Sequence, residues 1–364
     1  MKSQYDSYLS FCVLALTLFG TVMIYSTSAV FAEMHFQDTS FFLKKHLLHL
    51  AVGVIALFIG LRVNYHQWEK KIPWIMIITL ILLVLVLIPG VGYEVKGARR
   101  WLRFYMIGVQ PAEILKIVLI FYVASYLNRK QELLTSFFRG ISPNFIVIGT
   151  YLFLVLLQPD FGTVVLISMT VLLMIYIGGG KPIHIFGSLI CVSMIAVFLI
   201  ASQAYRLRRF LAFLDPWDDP LDSGFQIIQS FIALGTGGWF GRGLSQSLQK
   251  LFFLPDAHTD FIFAIIGEEM GFLRVCILIL LFAVLIWRGY MIAWHVNNNF
   301  GKYLAFGITT SISLQILLNL FVVTGLLPTK GLPLPFISAG GTSLITSLFM
   351  VGLLLNISQE SFRH

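Results

Sequence analysis

Residues 8–32 read YLSFCVLALTLFGTVMIYSTSAVFA, an uninterrupted stretch without a charged side chain. A helix needs about 20 apolar residues to cross the hydrocarbon core of a bilayer. The stretch is also longer than the apolar core of a secretory signal peptide, which has about 7–15 residues. It therefore predicts a first membrane-spanning helix that is retained in the mature protein.

The composition of the whole chain supports the same class of protein. Of its 364 residues, 58% are hydrophobic and 12% are charged, whereas a soluble globular domain has about 25% charged residues. A water-soluble fold of this size could not hide so much apolar surface. We therefore expect an all-α integral membrane protein that forms a single polytopic membrane domain over residues 1–364.

Further apolar runs predict about ten transmembrane helices in total. They lie near residues 9–31, 43–61, 72–90, 111–127, 144–158, 163–179, 183–202, 260–287, 303–326 and 341–357. The longest stretch between spans, residues 203–259, follows the seventh, and connections of this length are usually functional. We expect it to be a long loop that folds back as a re-entrant or interfacial cap.

The cations are divided evenly between the two sides of the predicted bundle, so the positive-inside rule assigns no orientation. On the side opposite the termini, they concentrate in two segments. These segments contain Lys96, Arg99, Arg100 and Arg103, and then Arg206, Arg208, Arg209, Arg242 and Lys250. With a net charge of +8, this clustering favours anionic lipid headgroups or a phosphate-bearing substrate over nucleic acid.

The sequence indicates neither metal-binding cysteines nor a nucleotide-binding motif. Cys12, Cys191 and Cys276 lie inside apolar runs, which is typical of small buried residues and not of a disulfide framework or a zinc site. The sequence contains no Walker loop, dinucleotide-binding fingerprint or HExxH motif. We therefore expect no organic cofactor and no ATP-driven transport by this chain alone.

The strongest candidate for chemistry is residues 254–261, LPDAHTDF, which are followed by Glu268. Thr259 is predicted to cap a helix, which would place Asp260 in the first turn, where the helix dipole favours an anion. Glu268 would then lie about 80° around the helix and about 12 Å deeper. It is therefore the glutamate that we expect to share a cavity with Asp260.

A structural explanation of this cluster stays open. Asp260 would then be an ordinary capping residue, and Glu268 and Glu269 would pair with Arg274 or Lys116. Because ionisable residues inside membrane spans are rare and usually functional, we favour a functional site.

The second candidate is residues 97–102, GARRWL, with residues 110–113, QPAE, and Lys116 after them. Paired arginines bind phosphate in a bidentate manner, and lysine supplies a compact cation. Trp101 is either a membrane-interface anchor or part of the site. Lys116 either binds substrate or extends its amine towards the membrane surface.

Two further segments are rich in proline and glycine. Residues 327–343, LPTKGLPLPFISAGGTS, cannot form a regular helix because they contain three prolines and three glycines. The backbone N–H groups near Gly340 and Gly341 could bind an anion, or the segment could be a rigid turn that allows close helix packing. Residues 158–162, QPDFG, are interpreted as a structural turn.

Together these segments resemble the SEDS family of polytopic cell-wall proteins (shape, elongation, division and sporulation). The resemblance covers nearly the whole chain. It rests on GARRWL with QPAE, on QPDFGT, on FLDPW with the later SGFQIIQS, on the run from Gln249 to Glu269 that contains HTDF, and on PTKGLPLPFIS with GGTS. Five ordered motifs in a ten-span frame make the match specific, although no single motif would.

The resemblance implies that the chain is a peptidoglycan glycosyltransferase. Family members polymerise lipid II into nascent glycan at the outer face of the bacterial cytoplasmic (inner) membrane, and they release undecaprenyl diphosphate. Their partners are a class B penicillin-binding protein, which cross-links the strands, and other membrane proteins of the divisome or elongasome. The termini would be cytoplasmic, and the active site and residues 203–259 extracytoplasmic. PTKG, at residues 328–331, resembles the FtsW branch more than the RodA branch.

The resemblance also assigns roles to residues. Asp260, in the HTDF motif, matches the family's catalytic acidic residue, and Glu268 matches the glutamate eight residues later. We expect His258, Thr259 and Glu268 to support Asp260 or to bind a cation. The expected ligands of the substrate or its diphosphate are Arg99, Arg100, Trp101, Lys116, Arg208, Arg209, Lys330, Ser338, Gly340, Gly341 and Ser343, with Gln158 and Asp160 as a further loop site.

The sequence departs from the family pattern in three segments. Before the last span, residues 338–343 read SAGGTS where the family usually has Ser-Tyr-Gly-Gly-Ser-Ser. The missing tyrosine, at Ala339, puts an aromatic contact there in doubt but leaves the glycine turn. Asp256 stands where glutamate is usual, and Ala112 stands where serine is usual. Neither of these two changes touches the expected chemistry.

Glycosyl transfer from a polyprenyl diphosphate requires an activated acceptor hydroxyl and a neutralised leaving group. Asp260 would take the proton from the 4-hydroxyl of the acceptor sugar, or hold a divalent cation such as Mg²⁺ or Mn²⁺. Arg99, Arg100 and either Arg208 or Arg209 would stabilise the departing diphosphate.

Two alternatives come from other functional classes. A lipid II flippase would carry its substrate without chemistry, and its essential charges would lie near mid-membrane, at Glu268, Glu269, Lys116 and Arg274. A scaffold that recruits the transpeptidase would tolerate polar substitutions outside its partner-binding face. The cluster around Asp260 favours the polymerase.

Overall fold

The computed structural model describes residues 5–95, 97–104, 107–201, 204–222, 224–251, 254–255, 257–329 and 331–361. Lys96, Asp256 and Lys330 lie outside these described residues, as does the side chain of Arg209. The described helices are α1 (Ser7–Phe36), α2 (Phe41–Arg62), α3 (Tyr65–Leu87), α4 (Pro111–Lys130), α5 (Ser142–Leu157), α6 (Phe161–Ile177), α7 (Pro182–Ala201), α8 (Ala204–Leu214), α9 (Phe225–Gly237), α10 (Ile262–His295), α11 (Asn299–Val323) and α12 (Gly341–Ser361). The strands are β1 (Gly92–Val95), β2 (Ala98–Phe104) and β3 (Ile107–Val109).

Polar caps and a proline fix several helix starts. The Asp6 carboxylate accepts a hydrogen bond from Leu9 N at the start of α1 (2.9 Å), and Asn298 accepts one from Gly301 N at the start of α11 (3.1 Å). These bonds satisfy backbone donors that the first helical turn leaves unpaired. Pro111 begins α4, where its missing N–H costs nothing.

The helices coincide with the predicted spans. Seven described helices, namely α1 to α4 and α10 to α12, are long and apolar enough to cross a membrane. Helices α5 and α6 are apolar but shorter, with 16 and 17 residues. The chain is therefore a multi-pass membrane protein, while the count of ten spans stays a prediction.

The prediction of a purely helical fold is wrong between α3 and α4. Strands β1, β2 and β3 form an antiparallel sheet in that order, and Tyr93 pairs with Trp101. Val95 pairs with Ala98, so the chain reverses within two residues, and Gly97 has the positive φ of 76° that such a hairpin needs. The Lys-Gly dipeptide at residues 96–97 is a weaker hairpin signal than Asn-Gly or Asp-Gly, and the helix-based interpretation missed it.

The segment 203–259 is not simply a loop, since it contains α8 and α9. Helix α9 packs on α10 and buries Ile227, Ile228 and Ala233. The Ser230 hydroxyl donates to Val323 O at the end of α11 (2.6 Å). Part of the predicted cap is therefore an integral layer of the bundle.

Helix α10 is broken at Gly271, and the chain after α9 fills the break. Gly271 has φ 75° and ψ 175°, and a Cβ there would lie 2.2 Å from Gly241 N. Arg242 N donates to Glu268 O and Gly243 N to Glu269 O (both 3.0 Å), and Phe272 N donates to Gly238 O (2.9 Å). The interrupted helix therefore keeps its backbone groups paired inside the bundle.

The same region buries an ion pair between Lys250 and Glu269. Lys250 Nζ lies 2.9 Å from Glu269 Oε1, and the two side chains are 4% and 0% exposed. Ser26, on α1, donates to the same carboxylate (2.7 Å to Oε2). This pair connects α1, α10 and the segment between α9 and α10.

Helices α2 and α12 approach closely because glycines remove side chains from their interface. A Cβ on Gly352 would lie 2.2 Å from Leu57 O, and one on Gly60 would lie 2.8 Å from Phe349 O. Small residues let backbones meet in membrane bundles, where helix association depends on close packing. Helix α12 is thereby held at the centre, against α2, α4 and α11.

The two ends of the bundle have different roles. At the end that carries both termini, Asp6 pairs with Arg288 (2.6 Å). The connections at residues 37–40, 88–110, 158–160 and 324–340, together with the segment before α10, meet at the opposite end. There the rings of Phe42 and His258 lie 4.8 Å apart. We call this the distal end.

We expect Gly352→Ala to lower stability by about 1–3 kcal/mol, because the new methyl group must push α2 and α12 apart. The measurement is the melting temperature of the purified protein in detergent. The control is Gly149→Ala in α5, where a Cβ meets no atom within 4 Å and alanine is the better helix former. Equal melting temperatures for the two variants would contradict this packing.

Lys250→Met should cost about 3–5 kcal/mol, because it leaves the Glu269 carboxylate buried without its cation. Adding Glu269→Gln should restore part of the loss, since the double variant has no unpaired buried charge. The control is Lys44→Met, which removes the exposed pair between Lys44 and Asp38 and should change little. A double variant less stable than Lys250→Met would show that the pairing is not the cause.

Candidate active site

Asp260 lies just before α10 and not inside its first turn. The helix begins at Ile262, its cap position is Phe261, and no side chain caps it. The expected roles of Thr259 as N-cap and of Asp260 as a first-turn residue are therefore wrong. The physical reason is that tertiary hydrogen bonds hold the carbonyls of both residues, so the helix starts two residues later.

The Asp260 backbone is tied to the last proline-rich segment. Asn319 Nδ2, on α11, donates to Asp260 O (2.9 Å) and to Leu332 O (2.8 Å). A Cβ built on Gly331 would lie 3.4 Å from Asp260 Oδ2, so the carboxylate rests over this glycine. The partly exposed Asp260 is thus brought next to the segment 331–334.

Two more hydrogen bonds join the same segments. The Ser338 hydroxyl donates to Thr259 O (2.6 Å), and Ala339 N donates to His258 O (3.0 Å). The contact at position 339 uses the main chain, so it does not depend on the tyrosine that the family usually has there. The HTDF and PLPFIS segments, which the sequence offered as separate candidates, are therefore in direct contact.

The glycine pair before α12 serves close packing. A Cβ on Gly341 would lie 2.5 Å from the ring of His49, on α2, and one on Gly340 would lie 3.2 Å from Pro333. The hydroxyl of Ser343 accepts a hydrogen bond from Gln315 Nε2 (3.2 Å). These contacts favour the rigid-turn explanation of Gly340, Gly341 and Ser343 over a direct anion site.

The two arginines of GARRWL have different environments. Arg100 donates to the carbonyls of Gln158 (3.1 Å) and Pro159, so it holds the QPDFG turn and is not oriented as a diphosphate ligand. Arg99 is 41% exposed and pairs with Glu94 (3.1 Å). Of the pair, Arg99 has the side chain that a substrate can reach.

Trp101 lies on β2 and covers a glycine of β3. A Cβ on Gly108 would lie 3.4 Å from the Trp101 ring. The ring is partly buried by the sheet. Its position at the distal end is compatible with both of its predicted roles, as anchor and as site residue.

The QPDFG turn is structural, as predicted, and it packs beside the site. Asp160 caps α6 by accepting from Thr163 N (3.3 Å) and binds Gln110 Nε2 (3.0 Å). Gln158 is fully buried and donates to Leu83 O (3.2 Å). Gln158 and Asp160 therefore support the sheet and α4, and do not line an open surface.

The QPAE segment is connected to the start of α12. Gln110 N donates to Thr342 Oγ1 (3.1 Å), and that hydroxyl donates to Gly108 O (3.0 Å). Through these bonds the sheet, α4 and α12 meet. The four sequence segments that we selected thus converge at the distal end.

Lys116 is a structural residue of the bundle interior. It is 1% exposed, and its amine contacts Glu113 Oε2 (2.7 Å) and Gln315 Oε1 (2.8 Å). A side chain so enclosed does not extend to the surface. The predicted role as a substrate ligand is not supported by this placement.

Glu268 is also a structural residue. Its carboxylate is completely buried and accepts from Arg242 (3.3 Å), Leu248 N (3.1 Å) and Gln249 N (3.3 Å), and from the Ser247 hydroxyl. These donors occupy the carboxylate, so Glu268 holds the segment 242–249 and is not set up to bind a cation beside Asp260.

The predicted structural partners of the glutamates were also wrong. Glu268 pairs with Arg242 and Glu269 with Lys250, whereas Arg274 donates to Phe240 O (2.9 Å). The cations that neutralise the glutamates come from the segment between α9 and α10. Sequence reasoning treated that segment as a separate loop and so could not pair them.

Three predicted ligands remain. Arg208 is exposed on α8, while Lys330 and the Arg209 side chain lie outside the described residues. Among the residues that the structure describes, no group of three or more His, Cys, Asp or Glu side chains is placed to hold a metal ion.

Sequence analysis missed Gln315 and Asn319, which hold the distal segments from α11. The available signal was two amide side chains four residues apart inside an apolar run, which places both on one helix face. Polar side chains inside a membrane span are uncommon and usually have defined partners.

Comparisons with known proteins show the family of the chain. The family model for FtsW, RodA and SpoVE, described as "Cell cycle protein", matches residues 6–363. A probable peptidoglycan glycosyltransferase FtsW of Geobacter metallireducens is 44% identical over 98% of this chain and 95% of its own length. The stage V sporulation protein E of Bacillus subtilis is 44% identical over 99% of this chain and 98% of its own length.

Solved structures share the fold. A chain from a peptidoglycan synthase complex, solved to explain how polymerisation and crosslinking are coordinated, is 25% identical and covers 99% of both chains with a TM-score of 0.80. The rod shape determining protein RodA of Thermus thermophilus is 23% identical, with a TM-score of 0.71 over 99% of this chain and 98% of its own. With its distal cluster around the HTDF segment and a family match over nearly its whole length, this chain belongs to the FtsW/RodA/SpoVE family of cell cycle proteins, the SEDS family.

Proposed function

We propose that this chain is a peptidoglycan glycosyltransferase, which polymerises lipid II into glycan strands. The observation that carries the proposal is the contact between residues 258–260 and the segment 331–339, at the same end of the bundle as the basic sheet segment. The relatives named peptidoglycan glycosyltransferase support the activity. In the proposed topology there are ten spans, the termini are cytoplasmic, and the distal end faces outwards from the bacterial inner membrane.

Asp260 is the proposed general base. Its carboxylate would accept the proton of the acceptor 4-hydroxyl as that oxygen attacks the anomeric carbon of the donor. The bond from that carbon to the diphosphate oxygen breaks, and the electron pair leaves with the diphosphate. A positioned base contributes roughly 10²–10⁴-fold to such a step.

Cations at the distal end would stabilise the leaving diphosphate. Arg99 and Arg208 have exposed side chains, and Arg209 and Lys330 are further candidates by sequence position. Arg100 and Lys116 would not contact the diphosphate. Arg100 holds the QPDFG turn, and Lys116 is paired inside the bundle. Guanidinium groups suit this role because they bind phosphate oxygens in a bidentate manner.

A divalent cation, Mg²⁺ or Mn²⁺, is compatible with these residues. Mg²⁺ is often held by one or two carboxylates together with substrate phosphates. In this alternative Asp260 would hold the ion in place of taking the proton, and the ion would neutralise diphosphate charge when bound. The fully engaged carboxylate of Glu268 would take no part.

We propose a class B penicillin-binding protein as the partner, with other divisome or elongasome membrane proteins around it. The similar fold of a chain in a peptidoglycan synthase complex supports this partner class. The flippase alternative relied on essential charges near mid-membrane. It is weakened because three of those residues, Glu268, Glu269 and Lys116, are paired within the protein. An FtsW-like division role is proposed on the PTKG segment and on the relatives with that name.

Asp260→Asn should lower polymerisation about 10²–10⁴-fold, because the amide cannot accept the proton. Purified protein, alone and with a class B partner, is incubated with labelled lipid II and Mg²⁺, and glycan length is measured on a gel. Asp222→Asn, which changes an exposed aspartate of the preceding segment 203–259, should keep full activity.

Full polymerisation by folded Asp260→Asn would refute its assignment as the base. Absence of polymer from the wild type with every partner, combined with lipid II movement across proteoliposomes, would favour the flippase.

Arg99→Ala should lower kcat/KM for lipid II about tenfold or more, since a hydrogen bond to a charged group contributes about 1.5–3 kcal/mol. Steady-state polymerisation at several salt concentrations provides the measurement, and the loss should be largest at low salt. Arg129→Ala, which removes a 65% exposed side chain at the opposite end, is the control. Equal kcat/KM for both variants would exclude Arg99 from diphosphate binding.

A further inference from the structure

Asn319 is placed to control the geometry of the distal site. It is 1% exposed, and its Nδ2 donates to Asp260 O (2.9 Å) and Leu332 O (2.8 Å). Because both partners are carbonyl oxygens, which only accept, the amide nitrogen and not the oxygen must face them. One side chain therefore ties together two irregular segments of the chain.

These two segments define the position of the Asp260 carboxylate. Asp260 precedes α10, and Leu332 follows Gly331, over which the carboxylate lies. Neither Asp260 nor Leu332 is in a regular helix or strand. The spacing between them is therefore set by tertiary contacts, and Asn319 is the side chain that bonds to both.

Gln315 continues the arrangement one turn away on α11. Its Nε2 donates to Pro333 O (2.8 Å), so consecutive carbonyls of the proline-rich segment are held by consecutive amides of one helix face. Gln315 in turn accepts from Lys116 (2.8 Å), which fixes its own orientation. Of these two amides, Asn319 is the one that contacts Asp260.

We propose that Asn319 is a positioning residue for glycosyl transfer, which holds the Asp260 backbone at a fixed place beside residues 331–332. It acts through the carbonyl and takes neither carboxylate oxygen. The proposal rests on the proposed function of Asp260 as the base. A displacement of about 1 Å in a reacting group can lower the rate about 10²-fold. Loss of the Asn319 hydrogen bonds would therefore slow the chemical step.

The test compares Asn319→Asp, Asn319→Leu and Asn319→Gln in the full-length protein with its transpeptidase partner. Aspartate and leucine are close in size to asparagine and lack the two donors, and glutamine keeps them on a longer side chain. For the two variants that lack the donors, we expect kcat for lipid II polymerisation to fall about 10²-fold. Their KM should change less than about threefold, as for an interaction made in the transition state. Melting temperature measures the folded state of each variant.

Asn144→Leu is the matched control. Asn144, on α5, is fully buried, and neither of its side-chain atoms has a hydrogen-bond partner among the described residues. Its replacement removes a buried membrane amide with no contact to the site. Wild-type kcat is expected for this variant.

Asp260→Asn, assayed in parallel, separates failure of this inference from failure of the proposed function. If Asp260→Asn is inactive while folded Asn319 variants keep wild-type kcat, Asn319 does not position the base. A loss of activity that only follows the folded fraction, with unchanged kcat per folded molecule, also overturns the inference. If Asp260→Asn is fully active, the assignment of the base itself fails.

Discussion

The structure depends on one constraint, which is that backbone polar groups in a bilayer must find partners within the protein. Two irregular segments enter the bundle, at residues 238–251 and 331–340. The first is paired with the break in α10 around Gly271, and the second is held by Gln315 and Asn319 of α11. The helices therefore form the frame, and the irregular segments are tolerated because each has internal donors and acceptors.

The sequence was sufficient for the helices and for the identity of the segments that meet. Helix length and apolarity are local properties, so the apolar runs coincide with α1 to α7 and α10 to α12. The small sheet was missed because one short hairpin, turning at Gly97, is a weak signal beside long apolar runs. The partners of Glu268 and Glu269 could not be predicted, because Arg242 and Lys250 reach them only when the chain after α9 folds back into the bundle.

The candidate site shows the same division between local and tertiary information. Asp260 was identified from its motif, and its neighbour Ser338 was on the predicted list. Its cap assignment failed because hydrogen bonds to distant residues decide where α10 begins. Asn319 was missed because an amide in an apolar run, even with Gln315 four residues before it, has no defined role until its two carbonyl partners are placed beside it.

The charges of the bundle fall into two groups with different physical roles. Buried pairs such as Lys250 with Glu269 and Lys116 with Glu113 are matched within the protein, as a low-dielectric interior requires. The contact from Asn319 to Asp260 is of a different kind, because a neutral amide binds a backbone carbonyl. A neutral clamp on the main chain can therefore fix the position of the Asp260 backbone without adding a charge of its own beside the reacting carboxylate.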